Sequence, residues 1–176
     1  PTKISLWNVS AVTDMSGAFI DKASFNENID NWDVSNVEDM RDMFNGCRAF
    51  NQTLNKWKTS NVTNMRNMFN GCIVFDKPLN SWNVANVTNM DGMFSGCFVF
   101  NKTLNNWNVS KVTSMENMFN GDAIFNQLFD SWNVSNVTNM SDMFNGCSKF
   151  NQDLRDWEMS IDTVLNGTLR MFFGTA

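Results

Sequence analysis

Four cysteines, Cys47, Cys72, Cys97 and Cys147, are the side chains with the most reactive chemistry in this chain, and they stand 25, 25 and 50 residues apart. One interval accounts for every gap, so they occupy a single column of a repeat. A zinc site would want a CxxC pair or a histidine, and the sequence has no CxxC and no His. Cysteines stacked on adjacent coils share a side-chain direction, which opposes disulfide geometry. The expectation is a buried ladder of reduced thiols acting as small apolar fillers, with no disulfide and no metal.

Acid–base work without histidine falls to carboxylates or a Ser–Lys pair. The densest acidic group is Asp30, Asp33, Glu38, Asp39 and Asp42. Asp39 falls at an expected helix start, where an anion is favourable, and the others fall at polar repeat positions. Solvated structural charge is the expected role, because no fixed ligand spacing would hold calcium there. No catalytic residue and no cofactor is expected, and the chain reads as a non-enzyme.

Behind these side chains lies a strict period. Trp7, Trp32, Trp57, Trp82, Trp107, Trp132 and Trp157 recur every 25 residues without a slip, the signature of a repeat array. With Trp as position 1, Val recurs at position 6 from Val12 to Val137, Met at position 9 from Met15 to Met140, and Phe at positions 13 and 19. The alternation of Leu79, Trp82 and Val84 with polar residues predicts a short strand. Met90, Met93, Phe94 and Cys97 have helical spacing, with capping boxes at Thr113–Glu116 and Ser35–Glu38 and a left-handed glycine after them at Gly46, Gly71, Gly96, Gly121 and Gly146.

A 25-residue strand, turn and short helix cannot bury its apolar side alone, whereas stacked copies can. The predicted fold is an α/β solenoid, a leucine-rich-repeat-like stack of seven strand-turn-short-helix repeats with a parallel sheet. Residues 1–160 form the solenoid and 161–176 a degenerate C-terminal capping segment, in which Ile161, Val164, Leu165, Leu169 and Phe172 or Phe173 fit one helical face. No matching cap precedes Trp7, so an exposed N-terminal edge is expected, open to end-to-end self-association.

Two surfaces could carry binding. The outward side of the predicted strand presents Asn8, Asp33, Lys58, Asn83, Asn108 and Asn133 in one row, ending at Glu158, whose amides suit sugar or peptide groups; a solvated face that keeps the sheet soluble is the blander reading. At positions 17 and 18, Ile73, Val74, Phe98, Val99 and Ile124 place apolar groups where other repeats carry Arg48, Ser148 and Lys149. They form a candidate apolar patch, although partial burial under the following loop is the expected outcome. Sequons such as Asn61-Val-Thr63 arise from the repeat and say nothing of glycosylation.

Composition narrows the partners. Net charge is −5, and the 13 Lys and Arg residues are scattered, with no basic track for a phosphate backbone, so nucleic acid is not expected. No apolar run approaches the roughly 20 residues needed to cross a bilayer, and the N-terminus lacks a signal peptide. The chain reads as a fragment of a longer or processed protein.

The string LxxWxVSNVTxMxxMFxGCxxFNQ, as in Leu104 to Gln127, resembles the BspA-like branch of the leucine-rich repeats. More closely, it is similar to a 25-residue repeat family of bacterial and mycoplasma surface lipoproteins. The resemblance runs from Ile4 to about Ser160, with departures at Thr59, Ala85, Asp122 and Phe129. It implies a non-enzymatic solenoid module, extracellular or on the cell surface, that binds protein or glycan on another cell or matrix. The alternative is a structural spacer or self-assembling fibre unit.

Overall fold

The structure, a computed structural model, describes residues 3–176. It is a repeat solenoid whose seven coils begin at the seven tryptophans. The Trp, Met, Phe, Val, Leu and Cys columns of the inner coils point into one continuous core, and like residues lie on like. Phe69 and Phe94 stack with ring centres 5.7 Å apart and Trp57 and Trp82 at 6.1 Å, within the range where aromatic pairs add to area burial.

Neither predicted element forms as expected. Parallel bridges join Asp39 to Asn64, Asn64 to Asn89 and Asn89 to Ser114, and the same position from Asp14 to Asn139. The ladder therefore runs through position 8, seven residues beyond the tryptophan. The stretch predicted as strand is instead two turns, closed by Trp82 N–H to Leu79 C=O at 3.0 Å and Val87 N–H to Val84 C=O at 2.9 Å. Its apolar residues Leu79, Trp82, Val84 and Val87, spaced three, two and three apart at the ends of the two turns, face inward.

The predicted short helix is likewise replaced by turns. Met65, Asn67, Phe69 and Gly71 donate their N–H groups to Asn89, Asp91, Met93 and Ser95 of the next coil at 2.7–3.0 Å. The residues between them donate back within the coil, as Met68 does to Met65 and Asn70 to Asn67. An α-helix would send all these donors four residues back. Two left-handed residues per coil prevent it: Asp42, Asn67, Gly92, Asn117 and Asp142 at position 11, and Gly46, Gly71, Gly96, Gly121 and Gly146 at position 15, all have positive φ. Gly, Asn and Asp are the residues that take this conformation at least cost. The expected left-handed glycine holds; the helix before it does not.

The seventh coil contains the one α-helix among the described residues, α1 (Ile161–Asn166), whose N-cap Ser160 accepts a hydrogen bond from the Thr163 N–H. Thr163 Oγ1 in turn donates to Val137 C=O at 2.6 Å. After α1 the ladder resumes: Met140, Asp142, Phe144 and Gly146 donate to Gly167, Leu169, Met171 and Phe173. The acceptor lies 24 residues on in earlier coils, as from Met115 to Asn139, and 27 residues on from Met140 to Gly167. The helix thus absorbs a three-residue slip. Because α1 ends at Asn166, Leu169 and Phe172 belong to this last ladder, with Phe172 stacked on Phe144 at 5.9 Å.

Candidate functional site

The interior columns are bound as well as packed. Each Trp from Trp32 to Trp157 donates its indole N–H to the position-23 carbonyl 28 residues earlier in the chain, as Trp107 does to Leu79 C=O at 3.1 Å. Cys47, Cys72, Cys97 and Cys147 are free thiols, fully buried, that donate to the carbonyls of Phe19, Phe44, Phe69 and Phe119 at 3.0–3.1 Å. Burial pushes these thiols upward, Cys47 to about 11 and Cys147 to about 12, so they are poor nucleophiles.

The fifth coil breaks the column. Asp122 stands where the second, third, fourth and sixth coils carry Cys; it is fully buried, and neither carboxyl oxygen has a hydrogen-bond partner. Burial, and then the Asp76 charge, push its pKa up to about 8. At neutral pH the side chain is therefore mostly a neutral acid, and it carries an O–H of the kind the thiols supply. A carboxylate would carry none.

Four of the five residues of the acidic group, which runs from the end of the first coil into the second, have structural hydrogen-bond partners. Asp30 accepts the Lys56 N–H, Asp33 the Ser35 N–H, Asp39 the Arg41 N–H and side chain, and Asp42 the Asn45 amide. Among the described residues no cluster of three or more His, Cys, Asp or Glu side chains could hold a metal ion.

The row Asn8, Asp33, Lys58, Asn83, Asn108 and Asn133 is exposed on successive coils. It lies on the turn after each tryptophan, so it is a row of turn residues in place of the predicted strand face. Asn8, Asp33, Asn83, Asn108 and Asn133 each accept, through Oδ1, the N–H two residues on at 3.1 Å, an Asx turn that fixes the side chain. The amide Nδ2 groups of Asn83, Asn108 and Asn133 have no partner among the described residues. What this row offers a ligand is therefore a line of outward donors, about 4.8 Å apart if coil spacing follows the bridge ladder.

Val74, Phe98, Val99 and Ile124 are exposed, Phe98 by 54%, and Ile73 is half-buried. The expected covering loop is absent from them, because each coil passes straight from the turn at Cys97 to Phe100 and Asn101. The patch and the amide row lie at different positions of the coil, 17–18 and 2, and the structure does not bring them together. A third feature is a polar hollow of about 300 Å³ lined by Arg66, Asp91 and Glu116 beside position 11 of the fourth coil, where Gly92 makes room for Asn67 Oδ1 at the place a Cβ would take. Its signal was the lone glycine of the central coils in an otherwise Asn/Asp position.

A family of mycoplasma proteins of unknown function, DUF285, matches residues 2–105 and 90–175. Among solved structures, the chain is similar to a leucine-rich cell surface protein from Faecalibacterium prausnitzii A2-165, with 23% identity and a TM-score of 0.57. The similarity covers 80% of this chain and 36% of that one, so the present chain spans little more than a third of its length, and the likeness is one of fold. The search of curated proteins gives no match.

Proposed function

The chain belongs to the DUF285 family, and we propose that it serves as a non-enzymatic interaction module displayed at the cell surface, binding protein or glycan through its outward amide row. The surface setting is carried over from the leucine-rich cell surface protein that shares its fold; no helix among the described residues is long and apolar enough to cross a membrane. The observation that carries the reading is the repetition of unpartnered Nδ2 donors on exposed turns at Asn83, Asn108 and Asn133. Sugar hydroxyls and peptide carbonyls are the acceptors such a row would meet. Residues 1–160 act as the repeat array and 161–176 as its cap, a role that α1 and the return to the ladder support.

The test is a panel of glycans and matrix proteins screened against the wild type and a triple variant, Asn83→Ala, Asn108→Ala and Asn133→Ala. Loss of a bound partner is expected. The corresponding triple Asn→Asp variant retains the turn acceptors but removes the donors, so it should lose binding as well while keeping its fold. Undiminished binding by both variants rejects the row.

A second reading, an assembling fibre unit, rests on the two end coils. The carbonyls of Asp14, Ser16, Ala18 and Ile20 accept no hydrogen bond among the described residues, and the N–H groups of Thr168, Arg170, Phe172 and Gly174 donate none. These are the acceptors and donors that join every inner pair of coils. Light scattering decides: species that lengthen with concentration support assembly, and a monomer at high concentration removes it.

A further inference from the structure

Positions 17 and 18 form a second surface that is independent of the amide row. Along successive coils it reads Arg48 and Ala49, Ile73 and Val74, Phe98 and Val99, Ala123 and Ile124, then Ser148 and Lys149. An apolar centre three coils long is thus closed at each end by an exposed cation, and neither Arg48 nor Lys149 forms an ion pair among the described residues. The cations stand four coils apart, about 19 Å at a ladder spacing of roughly 4.8 Å. Beside the strip, Gly46, Gly71 and Gly96 lie one above another, so that a Cβ added to Gly71 or Gly96 would sit 3.7–3.8 Å from the Cα of the glycine one coil below. With no side chains they leave an open groove walled on one side by Ile73 and Phe98.

We propose that this strip docks an extended segment of another protein, apolar over about six residues and carrying a carboxylate at each end. Charge complementarity selects the occupant. A second copy of this chain is disfavoured, because two-fold pairing of the strip brings Arg48 against either Arg48 or Lys149 of the other copy, like against like in both orientations. An anionic membrane would also meet the two cations, but it would face a protein of net charge −5, and a groove walled by Ile73 and Phe98 suits a segment better than a bilayer. Strand addition to the glycine floor is ruled out, since Gly46, Gly71 and Gly96 already donate their N–H groups to Asn70, Ser95 and Asn120. Recognition falls to side chains, with Phe98 as the apolar anchor and the two cations setting length and sign.

Fluorescence anisotropy with three labelled synthetic peptides tests this, each with the same six-residue apolar centre and with Glu, Lys or Ser at both ends. The full chain is expected to bind the Glu-ended peptide at least tenfold more tightly than the Lys-ended one. Phe98→Asp, at an exposed position, should abolish binding without shifting the melting temperature beyond a degree or two. The double variant Arg48→Glu, Lys149→Glu should invert the preference toward the Lys-ended peptide. Equal binding of all three peptides, indifference to Phe98→Asp, or failure of the charge reversal to invert the preference would overturn the proposal. So would binding of the chain to phosphatidylglycerol vesicles with loss on the same substitutions and no peptide binding, which would reassign the strip to a lipid surface. Because the amide-row variants leave these residues untouched, failure here and failure of the amide row are distinguishable.

Discussion

Trp7 and Trp107 open the first and fifth coils with the same residue in the same column, yet one is 54% exposed and the other 1%. Trp107 is covered on both faces and its indole N–H is held by Leu79 C=O. Trp7 lies over Trp32 alone, with ring centres 6.4 Å apart. The Phe columns repeat the contrast, half-buried at Phe19 and Phe25 and fully buried at Phe119 and Phe125. Burial in this fold belongs to the interface between coils, and the large aromatic rings of the first coil, Trp7, Phe19 and Phe25, lack the second neighbour that completes it, although Val9 and Met15 of the same coil are buried. Stability should then vary along the axis in a way that residue type alone does not forecast.

The largest test of that contrast is a pair of truncations. Trp107→Ala removes a fully covered aromatic and should cost about 3 to 5 kcal/mol, as large aromatics in cores do. Trp7→Ala should cost about 1 kcal/mol or less, because half its surface is already in water. Calorimetric unfolding of the two variants measures both. Equal losses would mean that the column is held by something other than neighbour stacking.

The same contrast between coils can be sharpened at position 16, where Asp122 replaces the thiol. Its folded pKa near 8 lies above the unfolded value near 3.8, so the folded state holds the proton more tightly. The stability that goes with the neutral acid is present below pH 3.8 and is lost as pH rises toward 8. Within that window the slope reaches at most about 1.4 kcal/mol per pH unit, since one proton is released on unfolding. The groups around it are Cys97, Cys147 and Asp76 with its partner Lys102; the thiols are raised far above the window. Asp122→Cys completes the column, so it should abolish the slope from this site and raise the melting temperature at pH 8 more than at pH 5. A difference between wild type and variant that does not change with pH would show the carboxylate to be accommodated some other way.

How far these contrasts could be foreseen depends on which interaction each residue makes. The 25-residue period exposed the Trp, Met, Phe and Cys columns, because identical spacing forces like onto like, and from them the solenoid follows. The local elements did not follow. Met90, Met93, Phe94 and Cys97 have helical spacing, but a chain of three-residue turns brings the same residues to one side. The distinguishing mark was polar: Asp42, Asn67, Gly92, Asn117 and Asp142, four residues before each glycine, announce a second left-handed residue per coil. The bridge residues Asn64 and Asn89 are also polar, so an apolar pattern could not locate the ladder. At Asp122 the departure from the Cys column was visible in the sequence. Its consequence was hidden, since a missing donor matters only where backbone carbonyls line the interior.

The smallest effect lies one residue from the largest. Asn108 follows Trp107 but points outward, and its Oδ1 holds the Ser110 N–H at 3.1 Å on an exposed turn. Asn108→Ala should cost about 0.5 kcal/mol, the low end for a hydrogen bond that water can replace. Asn108→Asp keeps an acceptor in place and should unfold at the same temperature as wild type at pH 7. Asp33 already occupies this position naturally, and its pKa is lowered by the side chain and N–H of Ser35. A carboxylate so lowered contributes stability above its unfolded pKa and loses it as pH falls, the reverse of Asp122. The Asn108→Asp variant should therefore match wild type at pH 7 and fall below it at pH 3, while Asp122→Cys gains most at pH 8. Within one coil, opposite pH signs at positions 2 and 16 separate a carboxylate that serves as an acceptor at the rim from a carboxyl group that burial holds neutral inside. Because one substitution adds a carboxylate and the other removes one, both differences from wild type should rise with pH; if either fell as pH rose, that separation of rim from interior would fail.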